Sequence, residues 1–133
     1  MRLKGLVAMF CATAMLSSCE DIFEDSKAPD GSKPDIKILS PTSNRSFSTD
    51  QGLPLQVTVV DKDDIKELLV LVKGSQGELD FVRFSLQPNK KVLELDTVVA
   101  QNSFIPGTYT LEISAKDGRS NLATKEVVFK INN

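Results

Sequence analysis

The chain of 133 residues has no histidine and no tryptophan, a single tyrosine, and two cysteines. Each shortage excludes some chemistry. Without histidine there is no imidazole general base, no Ser-His or Cys-His nucleophile pair, and none of the commonest zinc ligand. Cys11 lies in an apolar stretch, residues 6–16, that reads as part of a removable export signal. Cys19 is then the sole thiol, so the remaining chain holds no internal disulfide and its stability rests on packing. No apolar run approaches the roughly 20 residues that a membrane-spanning helix needs. A basic surplus is also missing. Arg2 and Lys4 leave with the export signal, so 14 of the 16 basic residues remain against all 18 acidic ones. A net negative charge argues against nucleic acid, whose affinity depends on Lys and Arg neutralising phosphates. It is too small to name another partner and fits a surface of mixed sign.

What is present begins at the N-terminus. Residues 1–5 are short and basic, and residues 6–16 (LVAMFCATAML) form an apolar core of signal-peptide length. Leu16-Ser17-Ser18-Cys19 follows, and it resembles the lipobox of bacterial lipoproteins. The resemblance implies cleavage before Cys19 and acylation of its thiol, so that residues 1–18 are a lipoprotein signal peptide. Each buried methylene contributes about 0.8 kcal/mol, so two or three acyl chains hold a protein at a membrane durably.

Four acids occupy the next six positions, Glu20-Asp21-Ile22-Phe23-Glu24-Asp25. The run resembles the surface-export signal of Bacteroides-type lipoproteins and implies an outer-membrane, cell-surface location. It fits equally a solvated tether, which is what a charge run alone means. Residues 26–34 are small, polar and rich in turn formers, so residues 19–33 read as a lipidated cysteine followed by a flexible tether. Extended, the tether reaches about 45–50 Å.

Residues 34–133 read as one domain of short strands. Alternating segments recur at 35–39, 55–60, 65–73, 79–86, 91–98, 108–116 and 123–131, separated by Gly, Pro, Asn and Asp. Asp61-Lys62-Asp63-Asp64 reads as a turn between the second and third. Within 65–73 a helical stripe of Ile65, Leu68, Leu69 and Val72 competes, but nine residues are few for a helix and Val70-Leu71-Val72 favours a strand. Seven strands with turns every 8–12 residues predict an all-β, Ig-like antiparallel β-sandwich.

Pro106-Gly107-Thr108-Tyr109 leads into an alternation that ends at Ala115-Lys116-Asp117, and residues 118–121 close a hairpin. This pattern, with Asp35-Ile36 and Pro41 at the start, resembles small Bacteroides-type surface lipoproteins carrying a single Ig-like domain. Many such proteins have no assigned function. Where that family commonly closes the hairpin with Gly-Asn, this chain has Ser120-Asn121 and an earlier Gly118. The resemblance implies that Tyr109 forms a tyrosine corner, its ring in the core and its hydroxyl bonded to backbone within residues 99–107.

A sandwich gathers its loops at two poles. Connections 61–64, 87–90 and 117–121 are expected at one pole with the incoming tether, and 40–53, 74–78 and 99–106 at the other. At the tether pole Asp61, Asp63, Asp64, Asp117 and Asn121 are candidate Ca²⁺ ligands, since that ion takes about six to eight oxygens. They are equally ordinary turn residues whose side chains bond to their own backbone. At the far pole Arg45, Phe47, Gln76, Asn102 and Phe104 are candidate binding residues, with Phe47 and Phe104 alternatively plugging the core. Leu69 and Leu71 point opposite to Leu68, Val70 and Val72, which leaves an apolar strip outside the sandwich unless something covers it.

The expected function is a non-catalytic binding or accessory module of the cell envelope, recognising a glycan or another envelope protein. A structural envelope protein without a soluble ligand is the alternative. A hydrolase built on a carboxylate pair ranks lower, because there is no histidine, no cofactor motif and little room for a pocket.

Overall fold

A computed structural model describes residues 28–43, 45–75, 80–100 and 104–133. Residues 1–27, with the export signal, Cys19 and the acidic run, lie outside the described residues, as do Gln76 and Asn102. The strands are β1 (Asp35–Ser40), β2 (Ser46–Ser48), β3 (Leu53–Gly74), β4 (Val82–Leu86), β5 (Lys90–Val99), β6 (Gly107–Asp117) and β7 (Leu122–Asn132).

β3 organises the molecule. Its first part, residues 53–60, pairs antiparallel with β1 and with β5. Its second part, residues 65–74, pairs antiparallel with β4 and β6. β6 continues to β7, and β7 pairs in parallel with β2. Two layers result, β1-β3-β5 and β4-β3-β6-β7-β2, with β3 passing from one to the other. The fold is the Ig-like β-sandwich that the alternation predicts.

Two strands expected as separate are therefore one. Residues 61–64 do not reverse the chain; they stay extended, and the register breaks between Val60 and Ile65. Asp61 Oδ1 accepts the Asp63 N–H at 3.0 Å, which bends the strand locally. The freed carbonyls find donors in neighbouring loops, Gly118 N to Asp64 O at 2.9 Å and Asn89 N to Ile65 O at 2.9 Å. A charged stretch that reads as a turn thus acts as a bulge carrying one strand across two sheets. β2 is a further departure. Three residues are too few to show an alternation, and its parallel pairing joins segments more than eighty positions apart.

The core follows from the period of two. Ile36, Leu53, Leu55, Val57 and Val59 of the first layer face Leu68, Val70, Val72, Leu111, Ile113, Ala115, Phe129 and Ile131 of the second, all buried. A fully buried Leu, Ile or Val contributes about 1.5–3 kcal/mol over leaving it in water. On β6 the alternation that begins at Tyr109 puts Tyr109, Leu111, Ile113 and Ala115 inward. The two sides of the sandwich differ. Between β1 and β7, Lys125 Nζ donates to Ile36 O at 3.0 Å and spans the layers. On the other side, Leu93, Leu95 and Val99 of β5 and Val82, Phe84 and Leu86 of β4 are only half-buried.

The outer apolar strip does not materialise as expected. Leu71 is 6% exposed although it points away from the core. It stands in register between Arg83 and Glu112, and Glu112 is held by Lys73 at 2.6 Å. The stems of such long side chains cover apolar surface while their charged ends stay in water.

Candidate functional site

The tether pole is built around Asp117, the last residue of β6. Its Oδ1 accepts the backbone N–H of Arg119 and of Asn121, each at 2.8 Å, and its Oδ2 accepts Asn121 Nδ2 at 2.8 Å. Ser120 closes the hairpin with φ 66°, a left-handed conformation that glycine adopts most readily. Asn121 is 6% exposed and faces two ways. Beyond Asp117, its Nδ2 donates to Asp30 Oδ1 at 2.8 Å, and its Oδ1 accepts the Gly31 N–H at 3.2 Å.

Asp30 is thereby clamped to the far end of the chain. It also pairs with Lys62, and Arg119 Nε lies 3.8 Å from its Oδ2. Arg119 makes its closer contact with Asp63 Oδ2 at 3.1 Å. The hydrogen bond from Lys62 holds the Asp30 carboxyl well below its ordinary value, helped by the Ser32 N–H and Asn121, and the same bond raises Lys62. The tether read over residues 19–33 ends against the domain at Asp30.

Of the five candidate metal ligands, Asp61, Asp63, Asp117 and Asn121 gather at this pole. Asp64 turns outward to Lys66 at 3.5 Å. Asp61 is buried, and its Oδ2 has no hydrogen-bond partner among the described residues. Asp30 was not among the candidates, although Asp30, Asp63 and Asp117 each bring a carboxylate oxygen within 4.8 Å of the others. Its signal was the Asp-Gly pair at 30–31, which sequence reading assigns to the linker. Chemically the cluster is occupied from within: Lys62 and Arg119 supply the positive charge, and the Asp117 oxygens are engaged by their own hairpin. What the arrangement does is fasten the incoming chain to the β6–β7 hairpin.

At the far pole the two candidate aromatics are core residues. Phe47, 8% exposed, meets Phe129 edge-on with centroids 6.1 Å apart. Phe104, 7% exposed, meets Tyr109 edge-on at 5.2 Å and stacks on Phe81 at 6.0 Å. Phe81 and Phe129 complete a five-ring cluster around Tyr109, at 5.1 and 5.9 Å. Rings so enclosed close the end of the sandwich instead of lining a surface, which is the plug reading of Phe47 and Phe104. Arg45 stays outside, with its guanidinium 5.5 Å from the Phe47 ring centroid. At the same pole Ile105 is 63% exposed. A cleft of about 340 Å³ runs along Gly74, Ser75 and residues 105–109. The tyrosine corner is present: Tyr109 Oη donates to Ile105 O at 2.7 Å and accepts the Ile105 N–H at 3.2 Å.

No family model and no curated protein matches the sequence. Among solved structures the chain is similar to the fibronectin(III)-like modules of Clostridium thermocellum CbhA. The TM-score is 0.51 at 19% identity, over 76% of this chain and 47% of that one. This chain thus spans about half the length of the one it matches. It is also similar to a superoxide reductase (neelaredoxin) from Ignicoccus hospitalis, with TM-score 0.45 and 12% identity over 75% of this chain and 80% of that one. The second likeness is too loose to carry an argument. The first extends to the fold.

Proposed function

We propose that the protein is a non-catalytic binding or accessory module, held at the outer membrane by lipid on Cys19 and recognising a glycan or another envelope protein through its far pole. One observation carries the reading: Asp30 and Gly31 are bonded to Asn121, at the pole opposite Phe47, Ser75 and Phe104. A lipid attached eleven residues before Asp30 would then leave from one end of the sandwich, with the other end directed outward. Loops on such a rigid scaffold are where binding residues concentrate. The likeness to fibronectin(III)-like modules is one of fold and is compatible with an accessory module.

The test joins anchor to partner. Cys19→Ala should move the protein from washed membranes to the soluble fraction. A photo-cross-linker at position 45 should capture a glycan or an envelope protein from intact cells, whereas one at position 124, on the β6–β7 sheet face, should not. Quantitative retention of the Cys19→Ala variant in membranes would refute the anchor, and equal capture from both positions would refute the far-pole site.

A further inference from the structure

We infer that two copies of the chain associate through β5, antiparallel, with Leu93 opposite Leu93 and Lys90 of each copy opposite Asp96 of the other. The three-stranded layers then join into one six-stranded sheet. The inference is independent of the lipid anchor and of the far pole.

The starting point is the unequal state of the two sides of the sandwich. Among the described residues β5 pairs with β3 alone, so the other edge of its ten residues presents backbone donors and acceptors in a row. The strand contains no proline and no bulge of its own, two of the devices that keep an edge from pairing; it does carry a third, the charged side chains Lys90, Lys91, Glu94 and Asp96, and these limit what can pair with it. Its core-facing residues are unfinished. Leu93, Leu95 and Val99 are half-buried, while their cross-strand neighbours Val59, Val57 and Leu53 on β3 are at most 2% exposed. β4, the edge facing them from the other layer, leaves Val82, Phe84 and Leu86 in the same state. An added strand would complete the hydrogen-bond ladder and cover this row at once.

Charge selects the occupant and the register. A two-fold antiparallel pairing of β5 with itself keeps paired residues on one face, so the axis must pass through a residue. An axis at Leu95 sets Glu94 against Asp96 twice, and axes at Glu94 or Asp96 set a carboxylate against itself. Like charges directly opposite are destabilising. An axis at Leu93 pairs residues 90–96 of each copy, sets Lys90 against Asp96 twice, and opposes no like charges. Of the registers that pair seven or more strand residues, it alone brings opposite charges together. A second copy therefore fits this edge with an ion pair at each end and leucine on the axis.

The experiment is a charge swap, read by sedimentation of the full chain in mild detergent. The parent should be dimeric. Lys90→Asp and Asp96→Lys, each of which creates two like-charge pairs, should each weaken association about tenfold or more. The double variant Lys90→Asp/Asp96→Lys should restore association to near the parental level. Far-UV circular dichroism establishes that each variant is folded. A monomeric parent at high concentration would overturn the proposal. So would single variants that associate as tightly as the parent, or a folded double variant that stays monomeric. Cross-linking of position 93 to a different protein, with none to its own copy, would overturn it as well.

Discussion

Truncating Tyr109 to alanine should remove about 3–5 kcal/mol of stability, and removing its hydroxyl alone should cost about 1 kcal/mol. The ring is 2% exposed and meets Phe81, Phe104 and Phe129 with centroids 5.1, 5.2 and 5.9 Å away. Aromatic-to-alanine changes in cores cost about 3–5 kcal/mol. Paired rings contribute about 0.5–1.5 kcal/mol each beyond their area, which puts this site at the upper end of that range. The hydroxyl makes two bonds, both to Ile105, at 2.7 and 3.2 Å. A typical intramolecular hydrogen bond is worth about 0.5–1.5 kcal/mol net. Ile105 is 63% exposed, so water can replace part of what Tyr109→Phe removes. For a domain whose total is about 5–15 kcal/mol, the alanine variant loses a third or more. Urea denaturation reads both changes as shifts in midpoint at constant slope. Thermal melting should show a fall of roughly 4–8 °C for each kcal/mol. The reasoning fails if Tyr109→Ala unfolds like the parent. It fails equally if Tyr109→Phe costs as much as Tyr109→Ala, because the ring would then contribute nothing.

Two further outcomes follow from the tether pole. Ser120 occupies the left-handed region at φ 66° and is exposed, so Ser120→Gly should raise stability by about 0.5–1 kcal/mol, the relief of strain exceeding the added freedom of the unfolded chain; a lower melting temperature would contradict this. Because its folded pKa is depressed, Asp30 contributes stability that is complete above the ordinary carboxylate value of about 3.9 and is lost as pH falls through the lowered one. The stability difference between the parent and Asp30→Ala should accordingly be flat from pH 7 to about 4 and shrink below. A difference already lost near pH 6, or unchanged to the lowest pH at which the fold survives, would refute the clamp.

Much of what flanks β6 was legible because its interactions are local. Asp117 bonds to residues two and four positions on, as turn aspartates do, and Tyr109 bonds to a residue four positions back, as the resemblance to Ig-like domains implies. The clamp was not legible. Asp30 reaches Asn121 across 91 positions, and nothing at 26–34 distinguishes an aspartate that will find a distant amide from one that will stay in water. Phe47 and Phe104 show the same limit, because a loop aromatic and a core plug look alike until Phe129, Phe81 and Tyr109 are seen around them.

The sequence by itself determined the class of fold and the inward faces of residues 55–59, β6 and β7. A period of two decides which side chains share a face wherever the chain is extended, and the result is a property of neighbouring residues alone. Only the tertiary structure decided that residues 61–64 carry one strand between layers, that β2 joins β7 in parallel, that Leu71 is covered on the outer face, and that among the described residues β4 and β5 stand as open edges. Those outcomes depend on which distant backbone groups satisfy the freed N–H and C=O groups and on which long side chains lie across the sheet, and alternation along a strand carries no record of either.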